Sequence, residues 1–374
     1  MNFKFIESDQ ELARVCESLG REEIIGVDLE ADSMHCFKEK ICLIQIASPQ
    51  GAFLVDPFII KGMGPFVDVL GNPSIIKVFH GADFDVRSLD REYSARIANL
   101  FDTEIACRFL NVRERGLGAL LKEHFNVYVD KRFQKQDWSR RPLNPEMIAY
   151  SVGDVAHLID LYKTIRQRLE KAGRLDWAQE EFELQAGVRY ECNHQPPLFK
   201  KFKGAGKLDN RSLAVLESLL RFRLEAAEKK DQPLFKIISN QSILTLTTLR
   251  PKNVEQMVTK GALSKKQAAM YGAQCQTAIE EALALPHKDL PSYPRVSTPR
   301  KTPVVQDRIK RLKKMREKQS VAIGMEPGFL INNASLTALA FDNPDSLEKL
   351  ISIPGFRKWQ VEALGDEILK TLGH

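Results

Sequence analysis

The chain lacks the features that would place it in a membrane or an oxidising compartment. Its 374 residues include only six cysteines, Cys16, Cys36, Cys42, Cys107, Cys192 and Cys275, with no Cys-x-x-Cys pair and no framework spacing. Disulfides are therefore not expected, and the thiols are read as reduced. Cys192 and His194 form the one close Cys/His pair, and without two further ligands nearby they are read as incidental. No run approaches the roughly 18 apolar residues that span a bilayer. The N-terminus lacks a basic start followed by an apolar core, so no secretory signal is expected. These absences predict a soluble cytoplasmic protein with no membrane partner. Charge of one sign is also scarce, since the formal net charge is only +6. Its distribution is uneven: eleven Lys or Arg face only Asp289, Asp307 and Glu317 between Pro286 and Ser320, and the remainder of the chain is slightly acidic. Such a run, here including Arg308, Lys310 and Arg311, is as often a solvated helix face as a phosphate contact.

What the chain does have is 43% hydrophobic residues, ample for two or three domain cores, and acids at positions where acids are costly. Asp28 and Glu30 close the apolar run from Ile24, which reads as a buried strand. Residues two apart in a strand share a side, so both carboxylates face one site. An isolated Asp-x-Glu pair usually sits on a solvated face, but at the end of an apolar strand an unpaired charge would be expensive to bury. A metal would offset that cost. Asp85 follows another apolar strand, Ile75 to Phe79, and the turn His80-Gly81-Ala82. There Asp83 reads as a first-turn acid favoured by the helix dipole. Tyr150 and Asp154 fall one turn apart on a helix opened by Asn144 as N-cap and Pro145 at its first position. Ile148, Val152, Val155, Ile159 and Tyr162 form the core stripe of what reads as one long helix.

Four carboxylates suit two divalent ions roughly 4 Å apart, each with positions open for a phosphate and an attacking water. One ion would activate the water and the other would stabilise the departing 3′ oxygen. Tyr150, with an ordinary pKa of about 10, is a poor base and is expected to orient the water.

In this order, Val27-Asp28-Leu29-Glu30-Ala31, His80-Gly81-Ala82-Asp83-Phe84-Asp85 and Tyr150-Ser151-Val152-Gly153-Asp154 resemble the three motifs of the exonuclease superfamily with four acidic residues, in its tyrosine-containing branch. The stretch Gln134-Lys135-Gln136-Asp137-Trp138-Ser139-Arg140-Arg141-Pro142-Leu143 is similar to one typical of bacterial ribonuclease D. The resemblance covers nearly the whole chain. It implies that Asp28 bridges two ions, Mg²⁺ or Mn²⁺, that Glu30 and Asp154 hold the nucleophile-side ion, and that Asp85 serves the other mostly through water. It also implies a 3′ to 5′ exoribonuclease that releases nucleoside 5′-monophosphates and trims tRNA precursors and other RNAs with a free 3′ end, with no obligate protein partner. Leu29, His80, Lys131, Gln134, Trp138 and Arg141 are the expected substrate contacts, Trp138 being either a stacking surface or a hydrophobic anchor. A DNA exonuclease on the same site, or an inactive RNA-binding scaffold, are the alternatives.

The expected fold is an α/β, ribonuclease-H-like mixed-sheet exonuclease domain over 1–195. Its strands are Phe3 to Ile6, Ile24 to Glu30, Ile41 to Ala47, Ala52 to Val55, Ile75 to Phe79 and Ile97 to Phe101. Ser8 and Glu11 are read as a capping box. The long basic loop from Asn126 to Leu143, with Lys131, Arg132, Lys135, Arg140 and Arg141, is expected to border the site. The second half turns helical and repeats itself at an offset near 93 residues, pairing Asn240-Gln241-Ser242-Ile243 with Asn333-Ala334-Ser335-Leu336, Pro251 with Pro344, Met257 with Leu350 and Gln267 with Gln360. These are read as two helical modules, 207–286 and 304–374, about a linker at 287–303. They resemble the helicase-and-ribonuclease-D C-terminal domain. Such modules would add RNA affinity by tethering, with Arg211, Arg221 and Arg223 as first-module candidates.

Overall fold

A computed structural model describes residues 2–191, 195–294 and 300–374. Cys192 and His194 lie outside the described residues. Six strands, β1 (Phe3–Ile6), β2 (Ile24–Ala31), β3 (Ile41–Ser48), β4 (Gly51–Val55), β5 (Ile76–Phe79) and β6 (Leu100–Asp102), form one sheet in the order β1-β4-β3-β2-β5-β6. The mixed character follows from the connections. β3 and β4 are joined by a tight turn and pair antiparallel, whereas β1 with β4, β2 with β5 and β5 with β6 pair parallel across longer crossovers. The last strand begins three residues later than the apolar pattern from Ile97 suggests. At the first helix the Ser8 hydroxyl accepts from the Glu11 N–H at 3.3 Å, but the Glu11 carboxylate takes the N–H of Glu7 rather than that of Ser8. The capping box is therefore only half formed.

β3 is buried throughout and β2 over half its length, and the helix that covers them approaches very closely. A methyl group on Gly26 would stand 3.0 Å from Leu158 Cβ. The predicted long helix is in fact two, Pro145–Ala156 and Leu158–Lys171. His157, at φ −112° and ψ 2°, breaks the regular α geometry and lets each half follow its own part of the sheet.

The chain divides into two compact units. One runs to Glu30, resumes over Ile41–Tyr190 and includes the second helical module. The other combines Ala31–Lys40 with the first module. Both modules keep the 93-residue register down to single hydrogen bonds. Arg223 Nη1 donates to Ile238 O (3.1 Å) and Asn240 Oδ1 (2.7 Å), and Arg316 Nη1 donates to Ile331 O (2.9 Å) and Asn333 Oδ1 (3.1 Å). Gln267 reaches Ile237 O, and Gln360 reaches Leu330 O. Gly272 and Gly365 each lie where a methyl group would collide with Val254 or Leu347, at 2.6 and 2.5 Å.

The modules differ in what their apolar faces meet. The first has a core of its own, built on Leu213, Leu216, Leu219, Ile243 and Ile279. The second shares the core of the α/β domain. Trp359 packs with Phe329, Phe109 and Trp177 at ring separations of 5.7, 5.2 and 5.8 Å. Its indole N–H donates to Glu181 (3.0 Å), while Glu180 accepts the backbone N–H groups of Lys358 and Trp359, both at 2.9 Å. Two orphan donors at the start of the last helix are thus satisfied from the α/β domain.

Candidate active site

β2 presents Asp28 and Glu30 on the side where Gly26 also lies, the side covered by the paired helices. Asn144 accepts the Met147 N–H at 2.7 Å and caps the Pro145–Ala156 helix, which brings Tyr150 and Asp154 over the strand. One carboxylate oxygen from each of Asp28, Glu30 and Asp154 lies within 4.8 Å of the others. Asp85 stands outside this trio in the first turn of the Asp83–Tyr93 helix, 6% exposed. The charges of Asp28 and Asp85 nonetheless act on one another across the site. Asp83 is the solvated first-turn acid, paired with Arg87 at 3.0 Å.

The electrostatics are those of like charges confined together. Burial raises Asp28 to about 6. Burial and then the charge of Asp28 raise Asp154 to about 8. Glu30 is pushed to about 10 by burial and then by Asp28, Asp154 and Asp85. Asp85 is held well above the carboxylate range by burial, then by Asp28 and Asp102. Among the described residues no lysine or arginine pairs with any of the four. Buried anions without a counter-charge are unfavourable unless a cation joins them, and hard oxygen donors in this number fit divalent ions such as Mg²⁺ or Mn²⁺. Tyr150 donates its hydroxyl to Asp154, and burial with the neighbouring carboxylates raises its pKa further, so it stays a phenol.

A cavity of about 400 Å³ opens over the trio, with Leu29, His80 and Gln134 in its wall. The Thr103 hydroxyl donates to Phe79 O (3.0 Å) and so accepts from His80 Nδ1 at 2.8 Å. His80 Nε2 is left as an acceptor, and burial lowers the histidine's pKa and keeps it neutral. Glu114, Gly116, Leu117, Gly118, Ala119 and Val129 complete the wall. Sequence reasoning passed over them, although the Gly116-Leu117-Gly118 run that starts the Leu117–Phe125 helix was a visible signal. It also passed over Asp102, which accepts from Gly81 (2.9 Å), Ala82 (2.7 Å) and Glu104 (2.8 Å) and so fixes the turn leading to Asp85.

Other expected contacts sit elsewhere. Trp138 is 1% exposed and has no free face for a base. It donates to Phe133 O at 3.2 Å and packs 6.0 Å from Tyr150, the anchor of the two roles considered. Arg141 is committed to Asp56 through Nε (2.5 Å) and Nη2 (2.9 Å) and to Cys42 O (2.7 Å), a bidentate pair that pins the loop to the sheet. Arg132 and Arg140 pair with Asp130 and Asp137, so from the basic loop the cavity receives Val129 and Gln134 rather than a row of cations. The side chain of Lys131 lies outside the described residues. Arg211 donates to Ala282 O, Leu283 O and Leu285 O at the end of a helix. Arg223 is buried on backbone and amide oxygens, and only Arg221, paired with Glu217, remains largely exposed. Arg308 reaches Ala340 O, Arg311 pairs with Asp307 and donates to Thr371 O, and Lys310 is exposed.

Comparison with known proteins supplies the remaining observations. Residues 3–170 match the 3′-5′ exonuclease family model, and 212–279 and 305–372 each match the HRDC domain, two stretches with the same 93-residue displacement as the internal repeat. Ribonuclease D of Pseudomonas paraeruginosa is 26% identical over 99% of this chain and 97% of its own length. The crystal structure of Escherichia coli RNase D superposes with a TM-score of 0.77 at 23% identity, covering 100% of this chain and 99% of that one. The catalytic core of RRP6 from Trypanosoma brucei gives a TM-score of 0.66 at 27% identity, over 76% of this chain and 81% of that one.

Proposed function

Because the chain belongs with the ribonuclease D proteins, matching them along nearly its whole length, and itself carries one 3′-5′ exonuclease match and two HRDC matches, we propose that it is a metal-dependent 3′-5′ exoribonuclease. Its products would be nucleoside 5′-monophosphates, and its substrates RNAs with a free 3′ end, tRNA precursors among them. The observation that carries the reading is the convergence of Asp28, Glu30 and Asp154 within 4.8 Å beside the buried Asp85. Those four residues would hold two divalent ions. When bound, the ions would supply an activated water and offset the charge gathering on the phosphate.

The remaining roles belong to the chain. Tyr150, a phenol held on Asp154, would orient the water through its hydroxyl without accepting its proton. Leu29 would pack on the terminal nucleotide, and His80 Nε2 and Gln134 offer it polar contacts. The amide-rich start of the Leu117–Phe125 helix lies in the cavity wall and would face the phosphate. Domain bounds of 1–195, 207–286 and 304–374 about a linker at 287–303 belong to the same proposal. The test is digestion of matched RNA and DNA strands, labelled at either end, with and without chelator. Mononucleotides released from the 3′ end of RNA only when ions are present are expected. Cleavage that persists in chelator, or that starts at the 5′ end, would overturn the reading.

A further inference from the structure

The two arginines that occupy one position of the repeat differ at a single nitrogen. Arg223 and Arg316 spend Nη1 on equivalent backbone and amide oxygens, and each leaves Nε buried without an acceptor. Nη2 separates them. In the second module it donates to the carboxylate of Glu317 at 3.2 Å, whereas the residue 93 positions before Glu317 is Leu224. Among the described residues no carboxylate takes its place, although Arg223 is only 6% exposed. Burial pulls this guanidinium down to about 10 with no anion to oppose it. A cation so enclosed is unfavourable until a counter-charge joins it.

A place for that counter-charge is present. Arg223 stands in the wall of a cavity of about 250 Å³ whose apolar lining is Leu198, Phe202, Leu220, Leu224 and Leu234. Asn240 also lines it, and because its Oδ1 accepts from Arg223, its amide N–H groups are left to donate. Lys201 and Lys203, both exposed, bring further positive charge to the same wall, which contains no acid. We infer that this cavity binds a small organic acid, its carboxylate on Arg223 and Asn240 and its apolar stem among the leucines. A carboxylate is the group that Glu317 supplies in the other copy. Phosphate, with more charge and more bound water to give up, suits an apolar lining less well. The volume lies below the roughly 300–1,000 Å³ of sites for drug-sized ligands, so the stem is short. The cavity belongs wholly to the compact unit of the first module, and the inference stands whether or not the chain cleaves RNA.

The experiment is isothermal titration calorimetry of the metal-free full chain with 3-phenylpropanoate, 4-methylpentanoate, the amides of both, and inorganic phosphate. Each acid is expected to bind at one site and its amide about tenfold or more weaker, because charge-assisted hydrogen bonds are lost. Leu224→Glu, which writes the second module's counter-charge into the first, is expected to weaken binding of the acids about tenfold or more. It should also raise the melting temperature of the ligand-free chain. Leu224→Gln, polar but uncharged, should cost only about threefold, and circular dichroism checks that both variants fold. A pentapeptide ending in leucine, free and amidated, identifies the source of the carboxylate. Tighter binding of the free peptide than of the acids supports the same chemistry at a chain end. No saturable heat from either acid, equal binding of acid and amide, equal losses in the two variants, or phosphate bound as tightly as the acids would each overturn the inference.

Discussion

Two groups of acids in the same compact unit behave in opposite ways. Glu180 and Glu181 are saturated, taking two backbone N–H groups, an indole N–H and the Arg357 guanidinium at 3.2 Å. Asp28, Glu30, Asp85 and Asp154 have one another, the Tyr150 hydroxyl and little else. The first group holds a helical module in its seat. The second leaves its repulsion unrelieved, which is the condition for binding cations. Acids that meet donors build the fold, and acids that meet only acids are available for chemistry.

The sharpest way to break this contrast is to neutralise one acid from each group. Asp28→Asn should lower RNA cleavage by about a thousandfold, yet raise the melting temperature of the ion-free protein by removing a repelled charge. Glu181→Gln should lower the melting temperature and leave kcat on a short RNA unchanged. Parallel losses of cleavage would erase the distinction. Next in size is Trp359→Lys, which writes the first module's residue into the second and should cost about 3–5 kcal/mol of stability in urea unfolding. An unaltered midpoint would mean that the seat does not depend on the indole.

The pH response should separate the groups further. Asp28, Asp154 and Glu30 are raised in the fold to about 6, 8 and 10 from ordinary values of 3.8, 3.8 and 4.5. The folded state thus binds the extra protons. The stability they bring is complete below about pH 4 and is lost as pH rises through 6, 8 and 10. Ion-free protein should accordingly melt several degrees lower at pH 9 than at pH 5, and millimolar Mg²⁺ should flatten the decline. A decline unaffected by Mg²⁺ would place its origin elsewhere. The smallest effect is expected of Tyr150→Phe, about tenfold in kcat or about 1.4 kcal/mol, with Mn²⁺ affinity by calorimetry unchanged.

Local patterns made much of this readable in the sequence. Alternation and apolar runs located the strands, and the two-residue and four-residue spacings placed Asp28 with Glu30 and Tyr150 with Asp154. The repeat register was visible because cap and core residues recur in it. What stayed hidden depends on partners distant in sequence. Arg141 reads as a free cation until Asp56, 85 residues away, is seen beside it. Trp138 is as plausible a stacking surface as an anchor until Phe133 and Tyr150 enclose it. Trp359 resembles any core tryptophan of a helical bundle, and only Trp177 and Phe109 reveal that the bundle is not its own. The break at His157 lies within an uninterrupted helical periodicity, and neither a proline nor a glycine stands at the break itself to announce it.

Gly26 has no side chain, and that sets the distance between the layer that carries two of the acids and the helices that carry the third. A single methyl there would press on Leu158 at 3.0 Å and lever the layers apart by tenths of an ångström. The interior could absorb such a shift at modest cost. A reaction that tolerates less misplacement than the fold does, losing on the order of a hundredfold for 1 Å, could not. At this position the demand of chemistry is stricter than that of folding, so an alanine variant could be sound in every structural measurement and still turn over slowly.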